Sequence, residues 1–176
     1  MTVKIGQFQV YTGKGKGKTT AALGLALRAS GAGMKVYFCQ FIKDQEYSEI
    51  KALKKLPGVT VAQYGSGKGI LTYREKEASD EECARAGYEQ VTAALTSGAY
   101  DLVIADEINC ALMCGLLTEA QLLALAEARP EGTELVFTGR GATDAILQRA
   151  DLATEMRLVK HYYQEKNLPA RKGIEF

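Results

Sequence analysis

Gly13-Lys14-Gly15-Lys16-Gly17-Lys18-Thr19-Thr20 is the stretch of this chain best suited to chemistry. It follows a β-type run over 3–11 and opens an alanine- and leucine-rich stretch over 19–30. A glycine loop between a strand and a helix N-terminus is built for phosphate. Its backbone N–H groups point inward, the helix dipole favours negative charge, and a lysine reaches the outer phosphates. Gly17-Lys18-Thr19 supplies the ending G-K-[ST], with Lys18 on phosphate and Thr19 as the magnesium ligand. The spacing is one residue short. Counting back from Gly17 in G-x-x-x-x-G-K-[ST] reaches Thr12, and the first glycine is Gly13. Lys14 and Lys16 either stay solvated or add charge to a triphosphate site, and the second reading is preferred.

Asp106-Glu107 closes an apolar run, 101–105, and an acidic pair at the end of a buried strand suits Mg²⁺ held directly or through water. Spacing alone does not choose between the two carboxylates. Arg140, in Thr138-Gly139-Arg140-Gly141, follows another apolar run and is either a ligand contact or a turn residue. Arg28 lies within the first helical stretch, as a ligand contact or a solvated residue. His161 is the only histidine, and nothing in the sequence positions it as a base. Cys39, Cys83, Cys110 and Cys114 form no CxxC pair and read as small thiols in a reducing compartment.

The elements that must position these residues alternate in type. Strands are expected over 3–11, 35–42, 59–64, 101–105, 134–138 and 152–159. Helices are expected over 19–30, 47–56, 75–97 (capped near Thr72), 108–117, 118–128 and 143–150. Thr118 and Gln121 form a capping box. The last fifteen residues are expected to be irregular, with at most an edge strand. Such alternation implies an α/β fold, a parallel sheet with helices on both faces, whose ligands bind beyond the carboxyl ends of the strands. The 13–20 loop, Asp106-Glu107 and 139–141 should therefore share one sheet edge.

The chain has 176 residues, 47% hydrophobic and 24% charged, an ordinary globular composition for a single domain, 1–176. A formal net charge of +1 argues against a nucleic-acid partner held by phosphate neutralisation. No apolar run approaches membrane-spanning length, and Met1-Thr2-Val3-Lys4 carries no leader pattern, so a cytoplasmic protein without a membrane partner is expected.

Seven segments together resemble the bacterial ATP:corrinoid adenosyltransferases. They are YTGKGKGKTTAA (11–22), Arg28-Ala29 with Gly31 and Gly33, QFIK (40–43), VIADEIN (103–109), TGRG (138–141), ADLATEMR (150–157) and VKHYYQEKNLPARKGIE (159–175). The short loop is also this family's form. The resemblance implies a RecA-like P-loop NTPase fold, a homodimer, and Mg²⁺ (or Mn²⁺) as cofactor. It implies transfer of the 5′-deoxyadenosyl group of ATP to cobalt of a reduced corrinoid, with triphosphate released and ATP reversed in the loop so that the ribose C5′ is open to attack. A flavodoxin-type reductant is implied by family only. Cobalt(I) is itself a strong nucleophile, which agrees with the missing catalytic base. On this reading Lys18 and Lys16 act on the leaving triphosphate, and Thr19 with Glu107 holds Mg²⁺.

Two segments depart from the family pattern. Relatives usually carry aromatic residues against the corrin where this chain has GSGKGILTY (65–73), so Ile70, Leu71 and Tyr73 become the corrinoid-side candidates. Many relatives also carry a segment before the first strand, and a more open corrinoid site is expected here. Two other readings stay open: an ordinary P-loop ATPase, and a nucleotide or corrinoid binder without turnover.

Overall fold

The computed structural model describes residues 5–68 and 74–176. Six strands form one sheet: β1 (Phe8–Thr12), β2 (Val36–Phe41), β3 (Val59–Tyr64), β4 (Leu102–Asp106), β5 (Glu134–Thr138) and β6 (Leu152–Glu155). Every pairing is parallel, in the order β3-β2-β4-β5-β1-β6. The helices are α1 (Lys18–Gly31), α2 (Ser48–Leu53), α3 (Ala78–Thr96), α4 (Ile108–Met113), α5 (Glu119–Ala128), α6 (Asp144–Arg149) and α7 (Tyr162–Lys166).

Successive strand side chains point to opposite faces, so each central strand feeds two cores. In β4, Leu102 and Ile104 join Ala22, Ala26, Ile50 and Leu53 from α1 and α2. Val103 and Ala105 of the same strand join Ala84, Val91, Leu95, Leu122 and Leu125 from α3 and α5. The alanine stripe of α1 is a packing surface, since small side chains let the helix lie close over Phe38 and Val136. The α/β class and the parallel sheet with helices on both faces are therefore present. The carboxyl ends of β1, β4 and β5 gather the loops of interest at one edge.

Several boundaries differ from expectation. The first strand begins at Phe8, because the N–H groups of Gly6 and Gln7 bond outside the ladder, to Glu131 O and to the Glu134 carboxylate, and only the Gln7 carbonyl enters it, accepting from the Leu135 N–H. The helix expected from 75 starts at Ala78, because the Asp80 carboxylate accepts the Glu77 N–H at 2.8 Å and fixes the cap there. Thr72 lies outside the described residues. The helix expected over 47–56 is Ser48–Leu53, followed by turns into Gly58. The helix expected to 117 ends at Met113, where Gly115 takes a left-handed conformation (φ 67) that stops it. The late strand ends at Glu155, alongside the end of its partner β1. The segment expected to be irregular holds α7, whose first turn is capped by His161 Nδ1 accepting the Tyr163 N–H at 3.1 Å.

Candidate nucleotide and metal site

The 13–20 loop is shaped by close approach to the chain after β6. A Cβ at Gly13 or Gly15 would stand 2.6 Å from the Met156 carbonyl oxygen, and the Gly15 N–H donates to that oxygen at 2.6 Å. Gly13 and Gly17 also have φ of 96° and 119°, which side chains resist. Gly17 caps α1, so the helix N-terminus opens onto the loop. Lys18 is 8% exposed and folds back onto its own loop, donating to Gly13 O at 2.9 Å and Gly15 O at 2.7 Å. Burial pushes its pKa down, an effect opposed in part by Glu107.

The acidic pair divides into two environments. Asp106 is fully buried at the end of β4 and accepts from Thr138 Oγ1 at 2.6 Å and from Gln40 Nε2 at 2.9 Å. Gln63 Nε2 donates to Gln40 Oε1 at 3.1 Å, which orients the Gln40 amide toward Asp106. Glu107 has left-handed backbone (φ 61) and turns out of the sheet into the cavity. Its N–H donates to Thr138 Oγ1 at 2.9 Å, and its Oε2 accepts from the Cys110 thiol at 2.7 Å. One threonine hydroxyl thus bridges the two carboxylate residues. Burial, then the negative charge of Glu107, pushes the Cys110 thiol far above its usual range.

Lys16 points the other way. Its Nζ stands 2.8 Å from Glu175 Oε1 and donates to Tyr162 OH at 3.0 Å and Ile174 O at 3.3 Å. Tyr162 OH also donates to Glu175. Arg171, then Lys16, holds the Glu175 carboxyl well below the usual carboxylate range. Phe176 lies against Tyr47 (ring centroids 6.2 Å apart), and its carbonyl accepts from Ser48 Oγ at 3.2 Å. The 173–176 segment therefore reaches from the phosphate loop to the start of α2 along the cavity wall.

The residues singled out in the sequence fall into four groups. Gly13, Lys14, Gly15, Lys16, Gly17, Lys18, Thr19 and Thr20 line one cavity with Glu107 and Arg140. Asp106 sits beneath that wall with both oxygens already bonded. Arg28 stands apart: it is exposed ten residues along α1, about 15 Å of helix from Lys18. The helix needed to support the loop carries it away from the site. Ile70, Leu71 and Tyr73 lie outside the described residues. Lys43, Tyr162, Glu175 and Phe176 were not predicted. Lys43 falls within the QFIK block, and Tyr162 and Glu175 within the 159–175 block, but no spacing rule gave them a role.

The chemistry of the donors fits a magnesium ion. Thr19 and Glu107 offer hard oxygens to one cavity, and Mg²⁺ needs only one or two carboxylates when phosphates and water complete its shell. Among the described residues no cluster of three or more His, Cys, Asp or Glu could hold an ion without such help.

The cleft is open to solvent on one side and holds about 1500 Å³. A parallel sheet, a glycine loop capping the helix after β1, and an acidic residue after a central strand define a P-loop nucleotide-binding protein. The fold matches the flagellar accessory protein FlaH of Methanocaldococcus jannaschii with a TM-score of 0.61 over 87% of this chain and 72% of that one, at 12% identity. That likeness concerns the fold alone. A family model for ATP:corrinoid adenosyltransferase BtuR/CobO/CobP matches residues 4–176. The corrinoid adenosyltransferase of Pseudomonas aeruginosa is 36% identical over 171 residues, covering 97% of this chain and 84% of that protein. That of Sinorhizobium sp is 34% identical over 169 residues, covering 95% and 78%. The chain belongs to the ATP:corrinoid adenosyltransferase family.

Proposed function

We propose that this protein transfers the 5′-deoxyadenosyl group of ATP to cobalt(I) of a corrinoid, cobyrinic acid a,c-diamide or cobalamin, and releases inorganic triphosphate. What supports the reading is the juxtaposition of a short phosphate loop with Lys18, Glu107 and Arg140 on one open cleft, in a chain of this family. The cobalt(I) electron pair attacks C5′, the C5′–oxygen bond breaks, and the triphosphate leaves with that bond's electrons. Cobalt becomes formally cobalt(III), and no proton needs to move. Mg²⁺, when bound by Thr19 and Glu107, neutralises charge on the phosphates.

The protein's own contribution is position and charge. The loop N–H groups and the N-terminus of α1 hold the triphosphate, and Lys18 exchanges its loop carbonyls for phosphate oxygens. Lys16 and Arg140 add positive charge at the rim. Fixing C5′ in line with cobalt accounts for much of the rate, since orientation alone is worth several kcal/mol, about 7–11 in well-aligned cases. We extend the family likeness to a homodimer served by a flavodoxin-type reductant, checked by sedimentation and by reduction assays. Among the described residues no helix is long and apolar enough to cross a membrane.

Single-turnover product analysis with ATP, Mg²⁺ and a chemically reduced corrinoid tests the reading. Triphosphate and a light-sensitive cobalt–carbon bond are expected in equal amounts. ADP with phosphate would reject the transfer in favour of an ordinary ATPase, and no turnover would favour a binder.

A further inference from the structure

Lys43 lies at the same site without a role in the proposed transfer. It follows Ile42, whose φ of 67° is a left-handed conformation that a β-branched residue adopts only when its surroundings impose it. The surroundings do so here: the Ile42 N–H donates to Tyr64 O at 2.9 Å and the side chain packs against the core. The turn sends Lys43 back over the strand ends. Its Nζ stands 3.8 Å from Glu107 Oε1 and 4.0 Å from Asp106 Oδ2, with the side chain 30% exposed.

The other oxygens of the pair are engaged. Asp106 accepts from Thr138 and Gln40, and Glu107 Oε2 accepts from Cys110. Glu107 Oε1 therefore faces only Lys43 among the described hydrogen-bond and ion-pair partners, and it is the oxygen nearest to hand for an entering cation. We propose that Lys43 is the resting counter-cation of the Asp106–Glu107 pair. It holds Glu107 oriented and keeps a divalent cation from binding there until a nucleotide arrives. Phosphates entering the 13–20 loop give the ammonium a new partner in the same cavity, and the cation then takes its place at Glu107. The inference rests on nucleotide binding at that loop. It assigns Lys43 a positioning role through Glu107 and an order of binding, cation with or after nucleotide.

Mn²⁺ binding tests this without turnover, using the full chain: it is followed by the loss of the free-ion EPR signal where the ion is alone and, where ATP is present, by the water-proton relaxation enhancement over Mn²⁺–ATP in buffer. Wild type and Lys43→Arg are expected to bind Mn²⁺ weakly alone and strongly with ATP. Lys43→Met is expected to bind Mn²⁺ alone at least ten-fold more tightly than wild type. Lys43→Gln serves as the second uncharged variant, with thermal melts confirming that each is folded. Equal weak binding by wild type and both uncharged variants would overturn the proposal, as would Lys43→Arg behaving like Lys43→Met. If wild type binds Mn²⁺ alone as tightly as with ATP, the ordering is wrong. Failure of wild type to bind Mn²⁺–ATP at all would reject the nucleotide reading instead.

Discussion

Thr138→Val is the most informative single perturbation of the site. Valine keeps the shape of threonine and puts a methyl where the hydroxyl stood. That hydroxyl donates to Asp106 Oδ1 at 2.6 Å and accepts the Glu107 N–H at 2.9 Å. Both Thr138 and Asp106 are fully buried, so water does not replace the lost donor. A hydrogen bond to a charged group is worth about 1.5–3 kcal/mol. The Glu107 N–H is only partly buried, so its loss falls at the low end of the range for an unsatisfied group, about 1 kcal/mol. The sum is about 3 kcal/mol, a large share of the roughly 5–15 kcal/mol by which a domain is stable. At about 2–4 °C per kcal/mol for a chain of this size, the melting temperature should fall by about 6–12 °C. Thr138→Ser retains the hydroxyl and loses one buried methyl, about 1 kcal/mol. Urea titrations of the three proteins should show the midpoint order wild type, Ser, Val, with unchanged slope. Serine and valine variants of equal stability would refute the bridging role of the hydroxyl.

Lys18→Ala should lower kcat/KM for adenosyl transfer by 100-fold or more, about 2.7 kcal/mol of transition-state stabilisation; full activity in single-turnover assays would remove Lys18 from the leaving-group site. Glu175→Gln frees Lys16 from its ion pair, so ATP affinity by calorimetry should rise several-fold, and weaker binding would mean that Glu175 orders the lysine for phosphate. Gly87→Ala sets a helix-propensity gain of about 1 kcal/mol against overpacking of about 1–3 kcal/mol, because the new Cβ would stand 2.7 Å from the Phe41 ring. A net loss in urea stability is expected, and a gain would show that the Phe41 and Tyr64 rings yield. Asp80 is paired with Arg74 at 2.7 and 2.8 Å, and that pairing, with Ser66, holds its carboxyl well below its ordinary 3.8. Its contribution is present above that ordinary value and is lost as pH falls through it toward the lowered one. Asp80→Asn should therefore flatten the fall in stability below about pH 4 in acid titrations, and an unchanged slope would assign that fall to other groups.

The sheet and its phosphate loop were legible because each is written locally. Gly13–Thr20 between a β-type run and an alanine stripe needs no distant information, and the alternation of apolar strands with capped helices implies the parallel sheet. The boundaries that slipped depended on long-range contacts. The ladder's start at Phe8 follows from where Gly6 and Gln7 bond at residues 131–134, and the start of α3 follows from a carboxylate that Arg74 holds in place. The α7 turn depends on His161 acting as a cap, a structural role that suits a lone histidine but that the sequence does not place. In the site, Asp106 and Glu107 look equivalent as neighbours in sequence. They differ because strand geometry buries the first, and a left-handed residue turns the second outward. Arg28 belonged to a matching block, yet its place on α1 is fixed by helix rise, which carries it away from the loop that the helix supports.

The charges of this site are arranged as internal pairs. Lys18 rests on the loop carbonyls, Lys16 on Glu175, and Lys43 faces Asp106 and Glu107. A buried ammonium without a partner is costly, and so is a buried carboxylate, so each charge that the proposed nucleotide and cation would meet has a partner within the protein. The substitutes differ in strength. Backbone carbonyls are neutral acceptors and yield to phosphate oxygens with little electrostatic penalty. Carboxylates are charged, and yield only when the entering ligand supplies equivalent charge. Lys18 is therefore the cation most readily released, and the ion pairs of Lys16 and Lys43 need a phosphate to take their lysines. Adenosine alone supplies no such charge. On the proposed function, the exchange would select for the polyphosphate end of the ligand first. That order suits a reaction in which the triphosphate is anchored while the far end of the nucleotide reacts.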